Sequence, residues 1–160
     1  MSRQVDFTVN GRAASVTADE DTPLLNVLRN NLGLMVTRFG CGLEQCGSCM
    51  VLIDGKPEKS CARPIAAVAG KAVTTVEGLG MPAHPHPLQQ ALLEEQAGQC
   101  GYCLSGILIS AKALLERNPS PSRPEIAQAL DGNICRCGTH NRIMHAVEKA
   151  ATRLRAGGKR

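Results

Sequence analysis

Gly40-Cys41-Gly42-Leu43-Glu44-Gln45-Cys46-Gly47-Ser48-Cys49 decides how the rest of the chain is read. Three cysteines fall within nine residues, with Gly40, Gly42 and Gly47 beside and between them. Glycine lets a backbone turn tightly and present its N–H groups with no side chain in the way. A loop of this kind wraps something held by its sulfurs rather than packing into an apolar core. On its C-terminal side, Met50-Val51-Leu52-Ile53 is an apolar run closed by Asp54-Gly55, a hairpin signal, so the loop feeds a strand. On its N-terminal side, Thr22 and Pro23 open a short helix with Leu24, Leu25, Leu28 and Leu32 along one side. Farther back, Val5, Phe7 and Val9 alternate with polar residues, Asn10-Gly11 supplies another tight turn, and Ala14 and Val16 resume the alternation. Residues 72–76, Ala-Val-Thr-Thr-Val, read as a closing strand. Together these signals predict a mixed sheet crossed by one helix.

From Gly78 to Pro87, two glycines and three prolines fall in ten residues, the composition of a linker. His84 and His86 look like a metal-binding pair. Their neighbouring prolines constrain the backbone, however, and no further ligand lies close in sequence, so we expect no metal there. Beyond the linker the grammar is helical. Pro87 opens a helix running to about Gln96, Leu104 begins one that Asn118-Pro119 stops after Arg117, and Ser122 and Pro124 open a third ending near Asp131-Gly132. The last runs from Asn141 to about Leu154, with Ile143, Val147 and Ala151 on one face. The expected fold class is α+β: a strand-rich domain over 1–77, a linker over 78–87, and an all-α four-helix domain over 88–160.

The eight cysteines divide into two quartets. Cys41, Cys46, Cys49 and Cys61 are spaced C-x4-C-x2-C-x11-C, which begins like the plant-type [2Fe–2S] pattern. A [2Fe–2S] cluster with four thiolates is anionic in either oxidation state, so a cradle of backbone N–H groups suits it. Zinc sites more usually show two ligand pairs at short spacing than three ligands in one glycine-rich loop. Cys100, Cys103, Cys135 and Cys137 form C-x2-C and C-x-C pairs with 31 residues between them. Taken alone, that second pattern is also the grammar of zinc. Its placement favours an anionic cluster, because Cys103 starts one predicted helix and Cys137 just precedes another, and helix N-termini offer free N–H groups and positive dipole ends. A reactive-cysteine enzyme would need a lone thiol beside a base; both quartets are complete and none is left over.

Composition narrows the classes further. Hydrophobic residues make up 43% of the 160, but aromatic residues only 2%, with no Trp, so the core must be aliphatic. Domains this small bury a modest fraction of their surface, which makes bound metal a natural brace. The formal charge of +4 counts every cysteine as neutral. Eight thiolates subtract eight and two oxidised cluster cores add four, which leaves zero. With no aromatic platform for bases, and no basic stripe apart from the tail at Arg153, Arg155, Lys159 and Arg160, which reads as a solvated end, nucleic acid is excluded. No run of 18 apolar residues is present and the N-terminus lacks the apolar core of a secretory signal, so the chain is expected to be cytoplasmic unless exported with a partner subunit. In that compartment cysteines hold metal more often than they form disulfides.

Three stretches carry a specific resemblance: residues 40–49, Gln99-Cys-Gly-Tyr-Cys103, and Gly132-Asn-Ile-Cys-Arg-Cys137. In that order and separation they resemble the small iron–sulfur subunit of the molybdenum hydroxylases, the family of xanthine dehydrogenase and aldehyde oxidoreductases, over roughly residues 3–153. The resemblance implies a ferredoxin-like, β-grasp N-terminal domain and a four-helix C-terminal domain. It implies a large partner subunit bearing molybdopterin, in bacteria usually the cytosine dinucleotide form, that hydroxylates a carbon with water oxygen. Electrons then leave singly through two clusters, the helical-domain cluster nearest the pterin and the Cys41 cluster handing them on. It places Gln99 and Cys137 within reach of the pterin; Arg136 reads as offsetting the cluster charge, facing the partner, or simply as a solvated side chain. Residues 137–143, Cys-Gly-Thr-His-Asn-Arg-Ile, depart from the commoner Cys-Thr-Gly-Tyr and are similar to isoquinoline-type and nicotinate-type subunits and those of some bacterial aldehyde dehydrogenases. That branch often lacks a separate flavin subunit, and in it a cytochrome c can take the electrons; the acceptor implied is therefore an FAD subunit or a cytochrome c. Glu44 stands where the family usually has Gly, while Met50, Leu104 and Ser105 replace Thr, Thr and Pro. A free-standing two-cluster carrier or redox sensor, and a zinc-braced interaction module, are the competing readings.

Overall fold

The computed structural model describes residues 2–157; Lys159 and Arg160 of the basic tail lie outside them. Strand β1 (Ser2–Val9) turns through Asn10 and Gly11 into β2 (Arg12–Asp19), pairing antiparallel from Ser2 with Asp19 to Val9 with Arg12. Asn10 and Gly11 have φ 51° and 76°, and Asp54 and Gly55 have φ 49° and 78°. Two successive positive-φ residues are what the tightest hairpins require, so both turn signals act as written. The second joins β3 (Met50–Ile53) to β4 (Lys56–Lys59). Strand β5 (Ala72–Thr74) then runs between the two hairpins, parallel to β1 and antiparallel to β3, giving the order β2-β1-β5-β3-β4.

The helix expected after Thr22-Pro23 is one turn of α-helix, α1 (Leu24–Asn26), running straight into a π-turn over Val27–Asn31. The wider turn buries Val27 with Leu24, Leu25 and Leu28 and moves Leu32 to the margin. This element covers one face of the sheet, where Val5, Phe7, Val16, Val51, Ile53, Ile65, Val68 and Val73 meet it.

The helical half holds α2 (Pro87–Glu94), α3 (Leu104–Arg117), α4 (Arg123–Leu130) and α5 (His140–Gly157). Each start has a visible cause. Pro87 and Pro124 sit in first turns, where a missing N–H costs nothing, and Ser122 forms a capping box with Glu125. The stretch between the halves carries local structure: Val76–Gly78 is a 3-10 turn, and Met81 and His84 exchange backbone hydrogen bonds of 3.2 and 2.9 Å. α2 and α5 are clasped by Lys149 with Glu94 and Glu95 and by Arg153 with Glu94 at 2.6 Å. Arg155 reaches back to the Pro119 carbonyl and the Ser120 hydroxyl. Arg153 therefore belongs to helix packing, and Arg155, though exposed as expected of a solvated end, is tied to the α3–α4 connection.

Strand alternation joins the halves. Val51 and Ile53 point into the sheet–helix core, while Leu52, with Met50 beside it, points the other way into the cluster of Leu88, Ile107, Ile109, Leu114, Ile126 and Ile143. Val76 joins that second cluster too.

Candidate metal centres

The first cysteine loop lies between the π-turn and β3. Cys49 and Cys61 are buried at 1% and 7% exposure, and Leu25 packs directly on both. Cys61 is brought there by Ser60, whose N–H and hydroxyl both donate to the Cys49 carbonyl, at 3.2 and 2.7 Å. Cys41 and Cys46 are half-buried on the outer side. The N–H groups of Leu43, Gln45 and Cys46 each point at Cys41 Sγ at 3.3 Å, and the Cys41 N–H points at Cys46 Sγ at the same distance. This amide cradle, led by Leu43, pulls the Cys41 thiol down to about 6, and burial pushes the Cys49 thiol up to about 11. A Cβ on Gly40 would fall 2.5 Å from Cys46 Sγ, so only glycine permits the fold-back. Glu44 holds φ 55°, a strained position in the same loop.

The second quartet gathers where three helix ends meet. Cys103 is the N-cap of α3, and Cys135 and Cys137 lie in the turn between α4 and α5. Cys100 Sγ and Cys137 Sγ stand 3.3 Å apart, and Cys103 pairs with Cys135. The Tyr102 N–H lowers the Cys100 thiol, whereas burial raises Cys103 to about 12. Gln99 and Arg136 are exposed at the rim.

In both quartets the thiols lie in pairs: Cys41 with Cys46, Cys49 with Cys61, Cys100 with Cys137, and Cys103 with Cys135. A single tetrahedral ion at about 2.3 Å from each sulfur would draw all four to about 3.8 Å of one another. Among the described residues no three His, Cys, Asp or Glu side chains converge on one such point. Two pairs suit a ligand set divided between two metal ions, and the N–H cradle suits an anionic group, so the residues present fit [2Fe–2S]. His86 is occupied otherwise. Its Nδ1 accepts from the Leu88 N–H at 3.2 Å as the cap of α2, while the Gln89 side chain accepts from its backbone N–H.

Contacts between the two sites left little trace in the sequence. The carbonyls of Cys46, Gly47 and Ser48 accept in turn from the Ile134 N–H at 2.9 Å, Asn133 Nδ2 at 3.2 Å and Ser105 Oγ at 3.1 Å. A Cβ on Gly106 of α3 would overlap the Gly47 carbonyl. Nearby, the Tyr102 hydroxyl donates to the Phe39 carbonyl and Arg38 lies over its ring, 5.2 Å from the centroid.

Comparison with known proteins agrees with this geometry. Residues 7–74 match the 2Fe-2S iron-sulfur cluster binding domain and residues 75–148 the [2Fe-2S] binding domain. The chain is 52% identical to a nicotinate dehydrogenase subunit of Pseudomonas putida, over 94% of this chain and 96% of that one. It is 51% identical to the alpha subunit of isoquinoline 1-oxidoreductase from Brevundimonas diminuta, over 92% of this chain and 97% of that one. The solved aldehyde oxidoreductase of Desulfovibrio desulfuricans superposes on 96% of this chain with a TM-score of 0.94 and 40% identity, and the match takes up 17% of that longer chain. The chain belongs to the molybdenum hydroxylase family as its small iron–sulfur subunit, the electron-transfer component with two [2Fe–2S] domains that serves a large molybdopterin-bearing subunit.

Proposed function

We propose that this chain relays electrons singly out of an oxidative hydroxylase, with Cys100, Cys103, Cys135 and Cys137 as the entry site and Cys41, Cys46, Cys49 and Cys61 as the exit site. The observation that carries the reading is the two-and-two pairing of thiols in both quartets. Each [2Fe–2S] group, when bound, stores one electron at a time, which divides a two-electron oxidation into single transfers. The chain's own residues hold charge and exclude water. The N–H groups of Leu43, Gln45 and Cys46 offset negative charge on Cys41, the Cys41 N–H does so on Cys46, and Leu25 shields the inner pair.

The finer assignments follow from the same family. Gln99 is exposed at the rim of the second site, as a pterin contact across a subunit boundary requires, and Cys137 is its companion contact. The pterin is the cytosine dinucleotide form, and the acceptor is an FAD subunit or a cytochrome c. The names of the nicotinate and isoquinoline relatives favour an N-heteroaromatic substrate, with an aldehyde as the second class. No helix among the described residues is long and apolar enough to cross a membrane. The cytoplasm, where cysteines stay reduced and hold metal, is the compartment that suits eight cysteines, with export alongside a partner subunit as the alternative. The two domains are 1–77 and 88–160.

The test is elemental and magnetic. Purified protein should hold about four iron and four labile sulfide per chain and give two distinct paramagnetic signals on reduction. Cys49→Ser should abolish one signal and leave the other. Tightly bound zinc in place of iron, or two unchanged signals in that variant, overturns the assignment.

A further inference from the structure

The two sites touch through a small set of bonds. Ile134 directly precedes Cys135, and its N–H donates to the carbonyl of Cys46 at 2.9 Å. One hydrogen bond and a short run of covalent bonds thus link a thiol of each quartet. Electronic coupling falls steeply with separation and less steeply through bonds than across a gap, so the length of this one contact matters more than its contribution to stability.

Asn133, one residue earlier, donates from Nδ2 to the next carbonyl, Gly47, at 3.2 Å. That carbonyl also accepts from the Met50 N–H at 3.3 Å, so the Asn133 amide fills its second lone pair and holds the same oxygen from another element. Asn133 is itself fixed by its N–H on the Leu130 carbonyl at 2.9 Å at the end of α4. Gly47 has φ 74°, and a Cβ there would run into the Gly132 carbonyl and the Asn133 side chain. The backbone of α3 at Gly106 closes on the same carbonyl, where a Cβ would also meet Asn133 Nδ2 at 3.0 Å. The Gly47 carbonyl is therefore held by Asn133 and hemmed in by α3, and the preceding carbonyl, that of Cys46, meets the Ile134 N–H.

We propose that Asn133 is a positioning residue for the electron step between the two sites, its side-chain amide holding the first cysteine loop so that the Cys46 carbonyl stays in hydrogen-bond contact with the Ile134 N–H. The inference rests on reading both quartets as [2Fe–2S] sites. Asn133 touches neither group; it acts through the loop.

The experiment uses the assembled complex purified from its host, with Asn133→Ala and Asn133→Leu, the second keeping the shape of the side chain without its donor. Iron and sulfide content and both paramagnetic signals should survive. The magnetic splitting between the two reduced clusters should shrink, and electron equilibration between them after rapid photochemical reduction should slow severalfold as the contact lengthens. Full clusters with unchanged splitting and rate in either variant overturn the proposal. So does loss of cluster content in both, which would make Asn133 a structural support of the second site. Absence of two [2Fe–2S] signals from the unaltered protein would instead overturn the functional reading itself.

Discussion

At the scale of single residues, the loop that holds the first quartet contains a strained position. Glu44 sits at φ 55°, where a side chain other than glycine's costs about 1 kcal/mol or more unless the surroundings enforce it. It is exposed, and its backbone lies between the N–H groups of Leu43 and Gln45 that point at Cys41 Sγ. The cradle therefore imposes the strain. Glu44→Gly should raise stability by about 1 kcal/mol with cluster content unchanged, as thermal unfolding followed by visible absorbance would check. This position was legible through the family resemblance, because Glu44 stands where the family usually has Gly, and the positive φ is what that substitution leads one to expect. The grouping of the eight cysteines into two sets was legible from the short spacings inside the motifs at residues 41–49, 100–103 and 135–137. Their pairing was not: which sulfur faces which depends on Ser60 carrying Cys61 to Cys49, a contact across eleven residues. Asn133 and Ser105 were illegible as well, since a polar side chain beside a cysteine has nothing local to say that its partner is a carbonyl far back in the chain.

At the scale of elements, turns and caps followed the sequence more closely than helix interiors did. Asn10-Gly11 and Asp54-Gly55 made their hairpins, and Leu104–Arg117 runs between the predicted bounds. The segment after Pro23 departed from expectation because four leucines at helical spacing cannot distinguish an α-turn from the wider π-turn that also buries Val27. β4, Lys-Pro-Glu-Lys, carries no strand signal and forms as an edge beside β3. The proline-rich stretch hid a cap. His86 Nδ1 accepts the Leu88 N–H, which only the neutral ring can do, and half-burial with Lys112 nearby lowers its pKa below 6.5. The folded state thus binds fewer protons here than the unfolded chain. The cap's contribution is fully present above pH 6.5 and is lost as pH falls through the lowered folded value. His86→Ala should cost about 1 kcal/mol at pH 8. Its penalty should shrink on acidification below pH 6.5, and denaturant titrations at the two pH values would show whether it does.

At the scale of the whole molecule, the question is whether two cluster-bearing halves behave as two bodies or one. The sequence divides them with a proline-rich linker, which suggests independence. Side-chain direction argues the reverse. β3 sends alternate residues to opposite faces, so Val51 and Ile53 complete the sheet core while Leu52, 4% exposed, completes the helical core with Ile107, Ile109 and Leu114. Val76 does the same from the end of the first half, and Gly47 meets Gly106 with no room for a side chain. The aliphatic, aromatic-poor composition leaves each half a small core, so a shared leucine matters to both. Leu52→Ala should cost about 2–5 kcal/mol by emptying a site that α3 cannot collapse to fill. The decisive reading is how that loss is distributed. In one cooperative body both clusters bleach together, at a single lowered midpoint, when denaturant is raised and each is followed by its own paramagnetic signal. If the signal of the helical half fell early while that of the sheet half held its midpoint, the linker would be a hinge between separate domains. Leu52 would then support one of them alone.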